Sequence, residues 1–526
     1  MPLPSQLARS VSVAVLLAVL AGCASVSVAT DPLKLPAGAN QSPVVVSITA
    51  NTGEVQGFTT MTVHLVPPKG RESDTPQYFV LERKAPEMAR DTALFVGALP
   101  PGDYEFSALS DTRTNKILRL NNGSKLLGTF PVEAGKPADL GRLIVTPVNS
   151  RIVFGRSARI ASNTLLLERA SPQHAALFAR TPASGWGHPR LPDDKVEEYA
   201  SARPLGANCA TETADGAVIA ASRLGTVLRR TPGGRWGAWH GPGIDSLLCV
   251  TPADLPDAEL LAVGEFGTLL RKPPGEDKLL PVATGNLPAG NIVAITGNRK
   301  AGWTVGVHHG NTLTVLHTAD LHAGDWKPIE AIDVGFSFWT GLQNFWMWGD
   351  SQRMGYTVTA GPIHELDYAS GKWTTLDTPN KARLHDFAVE PSGAMGVLTS
   401  TSAGAAGIFA GVFVSNDRAR SWQPVEVPYN VKVSPIRRDY AGTMYMAGGA
   451  FSEPELQVSK DGGKTWAHAG KRGLGRQLLP LRSGELLDFG GAEHGIFSIG
   501  HSADGGRTWE VEYSNFDRKA YEMQRK

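Results

Sequence analysis

The chain has 526 residues, with 58 glycines, 36 prolines and 19% charged side chains, a turn-rich composition that suits a β protein. Basic and acidic residues number 51 and 50, and the formal charge of +1 leaves no electrostatic case for nucleic-acid binding. Three cysteines are too few for a disulfide scaffold, and the length calls for two or more domains unless one is a large repeat fold.

Residues 1–22 read as a secretory signal. Arg9 precedes an apolar run from Val11 to Leu20, and small residues follow. The run is too short for a permanent transmembrane helix. Leu20-Ala21-Gly22-Cys23 resembles the bacterial lipobox. That resemblance implies removal of the signal and an acyl chain on Cys23. Ala24 and Ser25, with no aspartate after the cysteine, imply the outer membrane by the same analogy. Such an anchor tethers a protein to the membrane without spanning it. Residues 23–42, small, polar and interrupted by Pro and Gly, read as a flexible tether.

Residues 43–150 read as a small β-sandwich. Short β-rich runs (Val44 to Ile48, Thr60 to Leu65, Gln77 to Leu81, Ala93 to Val96) alternate with turn clusters. The phrase Leu99-Pro100-Pro101-Gly102-Asp103-Tyr104-Glu105-Phe106 resembles prealbumin-like and carboxypeptidase-regulatory-like sandwiches. Its Pro-Gly sets a turn and places Tyr104 and Phe106 on one face of the next strand.

From 151 to 526 a turn followed by tryptophan recurs. Trp186, Trp236, Trp326, Trp373, Trp422, Trp466 and Trp509 are separated by 50, 90, 47, 49, 44 and 43 residues. The Trp-less slot at Pro273-Pro274-Gly275 divides the long interval. About 40–50 residues make one four-stranded propeller blade. The region therefore reads as a β-propeller of seven or eight blades, the count of turns favouring eight. The unit around Trp186 reads either as a full blade or as strands that close the ring. No long amphipathic helical period occurs.

The last three turns are the most regular. Ser459, Asp461, Gly463, Thr465 and Trp466 are repeated as Ser502, Asp504, Gly506, Thr508 and Trp509. They appear more loosely as Ser415, Asp417, Ser421 and Trp422, with Ala419 in the glycine position. The phrase resembles the Asp-box of bacterial neuraminidase-type repeats and photosystem-assembly-like propellers, where it forms the turn between the third and fourth strands of a blade. Ser and Asp bond nearby backbone, Gly takes positive φ and Trp buries a ring, so the box is a fold signature first.

Residues with chemical potential are few. Sialidases use an arginine triad, a Tyr-Glu pair and an aspartate, and they carry an Arg-Ile-Pro phrase. Here Arg151-Ile152 and Arg159-Ile160 continue with Val153 and Ala161, so no catalytic residue carries over. Arg437-Arg438-Asp439-Tyr440 reads as a solvated strand end, since only alternate members share a face. Phe336, Phe338, Trp339, Phe345, Trp346 and Trp348 read as blade core. His308-His309 lacks the further ligands a zinc site needs, and no metal or other cofactor is expected. Cys209 and Cys249 hold near-equivalent places in adjacent blades and read equally as a disulfide or as two buried thiols.

The sequence thus predicts an all-β chain, with a small N-terminal sandwich and a seven- or eight-bladed propeller. The expected role is a non-enzymatic protein-binding or assembly module, with a membrane contact through the lipid anchor and an envelope protein partner. A glycan-binding protein or glycosidase of sialidase-like shape is the alternative, and an adhesion role for the sandwich is a third reading.

Overall fold

The computed structural model describes residues 25–516 apart from 52–57, 71–74, 112–114, 121–122, 149–150, 180–181, 193, 336–342, 391, 401–410, 429–430, 433, 451–452, 472–474 and 491–495. The chain divides into two compact units. One comprises residues up to Ala202 together with Gly243–Ser246, and the other comprises Arg203–Pro242 and Leu247–Lys526. Among the described residues no helix is long and apolar enough to cross a membrane.

The first unit is built on one curled ten-stranded sheet. Its strands are β1 (Ser25–Val28), β2 (Ser42–Ala50), β3 (Thr60–Leu65), β4 (Gln77–Lys84), β5 (Thr92–Leu99), β6 (Gly102–Asp111), β7 (Lys116–Arg119), β8 (Phe130–Val132), β9 (Ala138–Val148) and β10 (Arg151–Arg156). The main path runs β10-β9-β2-β5-β4-β3-β6-β7, with β1 on β4 and β8 on β6. The sheet closes over a core that includes Val44, Val46, Leu81, Phe95, Tyr104, Phe106 and Phe130. Tyr104 and Phe106 do share the inward face, and the Tyr104 hydroxyl donates to Pro100 O at 2.8 Å, fastening the Pro-Gly turn.

Three expectations change here. First, residues 23–42 are not simply a flexible tether. The period-2 Ser-Val-Ser-Val run pairs in parallel with β4, from Ser25↔Gln77 to Val28↔Val80. Second, the N-terminal unit continues past 150. β10 pairs with β9, and helices follow at Thr164–Ala170, Pro172–Phe178 and Val196–Ala202, each too short to show a helical period. Third, Trp186 belongs to no blade. Its ring packs on Phe106 and Phe130 at 5.6 and 6.0 Å, and its indole N–H donates to Leu140 O.

The second unit is therefore a seven-bladed β-propeller. The blades span 208–240, 247–281, 291–333, 345–376, 383–424, 431–471 and 475–514, and we number them 1 to 7. Six are four-stranded meanders and blade 6 carries a fifth, short strand. Each blade uses only its own contiguous chain. Apolar clusters fill the gaps between successive blades, including Leu228 and Val218 of blade 1 against Leu487 and Phe489 of blade 7. In blades 1 and 2 the second and third strands join through the same turn: Leu224-Gly225 and Phe266-Gly267 both take positive φ. Two successive left-handed residues suit the twist of a tight hairpin.

Candidate functional site

The Ser/Asp turns all fall between the third and outer strands of their blades. In blade 6 the Ser459 hydroxyl donates to Asp461 Oδ1 at 2.8 Å and accepts from the Gly463 N–H at 2.9 Å. Asp461 also accepts from the N–H and hydroxyl of Thr465. Blade 7 repeats the set with Ser502, Asp504, Gly506 and Thr508. Blade 5 repeats it with Ser415, Asp417, Ala419 and Ser421. The Ser421 hydroxyl first, with its N–H, holds the Asp417 carboxyl down to about 2. The Thr508 N–H, then its hydroxyl, does the same to Asp504, also to about 2. Asp461 lies well below the usual carboxylate range through Thr465. Each carboxylate is spent on its own turn, which is a structural use. Trp422, Trp466 and Trp509 pack on the apolar clusters shared with blades 4, 5 and 6 respectively.

An arginine cluster does form, unanticipated in the sequence, but around a carboxylate of the chain itself. Glu365, on the third strand of blade 4, accepts from Arg353 at 2.8 Å and from Arg420 at 3.1 Å. Arg418 Nη1 stands 3.9 Å from its other oxygen. Arg353 also meets Asp367, and Arg418 meets Asp350. Three cations thus face three anions, and Glu365 is buried. The cluster joins blade 4 to the blade 5 turn instead of presenting guanidinium groups to a ligand.

A second polar group lies on the inner strands of blades 4 to 6. The first strands of successive blades adjoin one another around blades 1 to 4, forming the inner ring. Blade 4 contributes Phe345–Gly349, in which Phe345, Trp346, Met347 and Trp348 are half-buried. Trp346 and Trp348 pack against Phe387 of blade 5 at 6.2 and 5.0 Å, while Phe345 and Met347 pack the opposite way, against the cluster shared with blade 3. All four side chains thus pack on blade core while remaining partly accessible. Phe336, Phe338 and Trp339 lie outside the described residues.

Beside these rings, Trp346 hydrogen-bonds Asp386 of the next blade. Burial pushes the Asp386 carboxyl up, against the opposing charge of Arg437. Asp386 keeps some solvent access on the first strand of blade 5. Glu390, buried in the following turn, is likewise raised by burial and opposed by Arg437, whose Nη1 is 3.8 Å from Glu390 Oε1. Arg438 instead reaches Asn416. Asp439 accepts from the Ala441 and Thr443 N–H groups and from Tyr445, so it is a turn residue. Tyr440 is exposed, with the Arg482 guanidinium 5.6 Å from its ring centre. The two arginines of this stretch thus turn to different partners, Arg437 to Glu390 and Arg438 to Asn416, and both are partly buried. Asp386 and Glu390 carried no sequence signal, because their meaning comes from strands of other blades.

Cys209 and Cys249 lie on the first strands of blades 1 and 2, with their sulfur atoms at bonding distance and Cα atoms 4.9 Å apart. His309 donates through Nδ1–H to the Ala289 carbonyl at 2.9 Å, and among the described residues no His/Cys/Asp/Glu group could hold a metal ion. Cys23 lies outside the described residues.

No protein-family model and no curated protein sequence matches the chain. Among solved structures it is similar to YCF48 bound to D1 peptide, at 15% identity and a TM-score of 0.39 over 58% of this chain and 86% of that one. It is similar to YCF48 from Cyanidioschyzon merolae at 13% identity and a TM-score of 0.37, over 51% and 87%. A puromycin-hydrolysing peptidase of Mycobacterium tuberculosis matches at 13% identity and a TM-score of 0.41, over 61% of this chain and 55% of that one. The chain thus spans about half of the peptidase. These similarities concern the fold, and no activity passes from them.

Proposed function

We propose that this chain is a non-enzymatic protein-binding or assembly module, carried at the outer membrane by an acyl chain on Cys23, and that its propeller receives a segment of an envelope protein. The observation that carries the reading is a group of aromatic and charged side chains on blades 4 to 6. There the partly buried rings of Trp346 and Trp348 stand beside the charged groups Asp386, Glu390 and Arg437. Partly open aromatics next to arginine are the residue types that dominate binding energy at protein interfaces. The guanidinium groups that do gather, at Glu365, are neutralised within the blade pair, which favours binding over sialidase-type chemistry.

In-cell crosslinking followed by affinity purification of the envelope fraction tests this. One protein recovered in near-stoichiometric yield, and lost with Trp348→Ala, supports it. Recovery no better than a lipidated control protein counts against it. The same indoles also suit the face of a sugar ring, so glycan binding is the second reading. It predicts Trp348-dependent retention on a glycan surface by the soluble form without Cys23.

A further inference from the structure

The N-terminal segment is fastened to the sheet from its first described residue. Ser25 N–H donates to Pro76 O at 3.0 Å, Ala29 N–H to Val80 O at 2.9 Å, and Ala98 N–H to Thr30 O at 2.8 Å. β1 occupies the half of β4 that β5 leaves open, since β5 pairs only with Glu82–Lys84. Asp31 then clasps the segment to two other elements. It pairs with Lys84 Nζ at 2.6 Å and with His174 Nε2 at 3.0 Å, and it accepts from the Leu33 N–H.

This geometry leaves almost no spacer after position 23. Ser25 is two residues from Cys23, and an extended chain covers at most about 3.5 Å per residue, or about 7 Å in all. Ser25 also belongs to one register row across the sheet: Ser25↔Gln77, Gln77↔Leu65, Leu65↔Tyr104 and Tyr104↔Phe130. That row marks one end of these strands in the sheet. Beyond it lie the exposed residues Pro68, Lys69 and Pro101. The opposite end of the same sheet is marked by the pairs Thr60↔Ser110 and Asp111↔Lys116. Seven residues of β6 separate Tyr104 from Asp111, about 24 Å at about 3.4 Å each.

We propose that the first unit lies directly on a phospholipid surface, with the end carrying Pro68, Lys69 and Pro101 against the headgroups and the Lys116 end pointing away. This rests on the reading that Cys23 is acylated. It adds that the sheet, and not a flexible linker, sets the distance and orientation of the unit.

The test uses the full chain, produced with its signal, in vesicles of phosphatidylethanolamine and phosphatidylglycerol with a quencher on the headgroup. A fluorescent non-canonical residue replaces either Lys69 or Lys116. Mass analysis of the N-terminal peptide is done first, and an unmodified Cys23 overturns the anchor reading and this inference together. With Cys23 acylated, the expected result is quenching at position 69 several-fold stronger than at 116. Equal quenching at the two positions overturns the orientation alone and leaves the anchor standing. An insertion of about twenty Gly/Ser residues between Ala24 and Ser25 should bring the signal at 69 down to that at 116, since such a linker spans about 25 Å. Undiminished quenching after insertion overturns the claim that β1 sets the spacing.

Discussion

Arg230 and Glu512 form a two-pronged ion pair, 2.7 and 2.8 Å, between the third strand of blade 1 and the outer strand of blade 7. Trp236 Nε1 donates to the same carboxylate at 2.8 Å, and Glu485 stands 3.6 Å from Arg230. Among the described residues no strand is shared between the first and last blades, so this polar clasp, the Arg482 bonds to Glu212 and Thr213, and the apolar cluster of the same gap close the ring. Burial opposes the charge on Glu512, but the Arg230 and Trp236 hydrogen bonds outweigh it and lower the pKa. Arg230 is 4% exposed at its side chain, so removing Glu512 leaves a buried cation with only the longer contact to Glu485. Glu512→Ala should cost about 3–5 kcal/mol in urea unfolding. The double variant Arg230→Met with Glu512→Leu should recover much of that loss. A double variant as unstable as the single one would mean that the clasp is not a paired unit.

Gly506 occupies the turn of blade 7 at φ +90, and a Cβ there would meet Leu456 Cδ2 at 2.3 Å. Gly506→Ala therefore strains the backbone and the packing between blades 6 and 7 at once. A loss of about 2–3 kcal/mol is expected. Gly462, in the blade 6 turn, has φ +74 with open space around its Cβ. Gly462→Ala isolates the backbone term and should cost about 1 kcal/mol. Thermal unfolding of both variants checks the ranking, and equal losses would remove the packing contribution.

Local phrases in the sequence carried the fold well. Ser459 to Trp466 and its copies are self-contained turns, so their geometry is written within eight residues. Tyr104 and Phe106 were legible for the same reason, as alternate residues of one strand. Trp186 misled because a turn followed by tryptophan looks alike wherever it is. Only its distant partners, Phe106 and Phe130, assign it to the sheet. Ser25 to Val28 reads as a linker because two Ser-Val alternations are too few to mark a strand without the edge of β4 that they fill. Glu365, Asp386 and Glu390 gain their roles from arginines on other strands, and Arg230 and Glu512 lie 282 residues apart. A single sequence shows periodicity along the chain and is silent about such pairings.

Acid should loosen the turns in a defined window. The folded-state pKa of Asp417 and Asp504 is depressed to about 2, against about 3.9 in an unfolded chain. The stability they contribute is therefore fully present above about pH 5 and is lost as pH falls toward 2. Asp504→Asn should unfold at lower urea than the parent at about pH 7. The gap between the two should narrow steadily below about pH 4. A gap that stays constant to about pH 2 would show that the ionised carboxylate contributes nothing to the turn.

The sulfur atoms of Cys209 and Cys249 are placed to bond, and the expectation is that the purified protein holds them oxidised. Alkylation of the unfolded chain without reductant should modify neither residue, and both should react after reduction. A bond across 40 residues removes loop-closure entropy from the unfolded chain worth about 4 kcal/mol. Cys249 is buried at the interface of blades 2 and 3, whereas Cys209 is exposed. Cys209→Ala then reports chiefly the lost crosslink, and Cys249→Ala adds a packing defect. The reduced parent and Cys209→Ala should unfold at the same urea concentration, below that of the oxidised parent. If reduction leaves the parent's midpoint unchanged, the two inner strands are held by packing alone and the thiols are incidental to the ring.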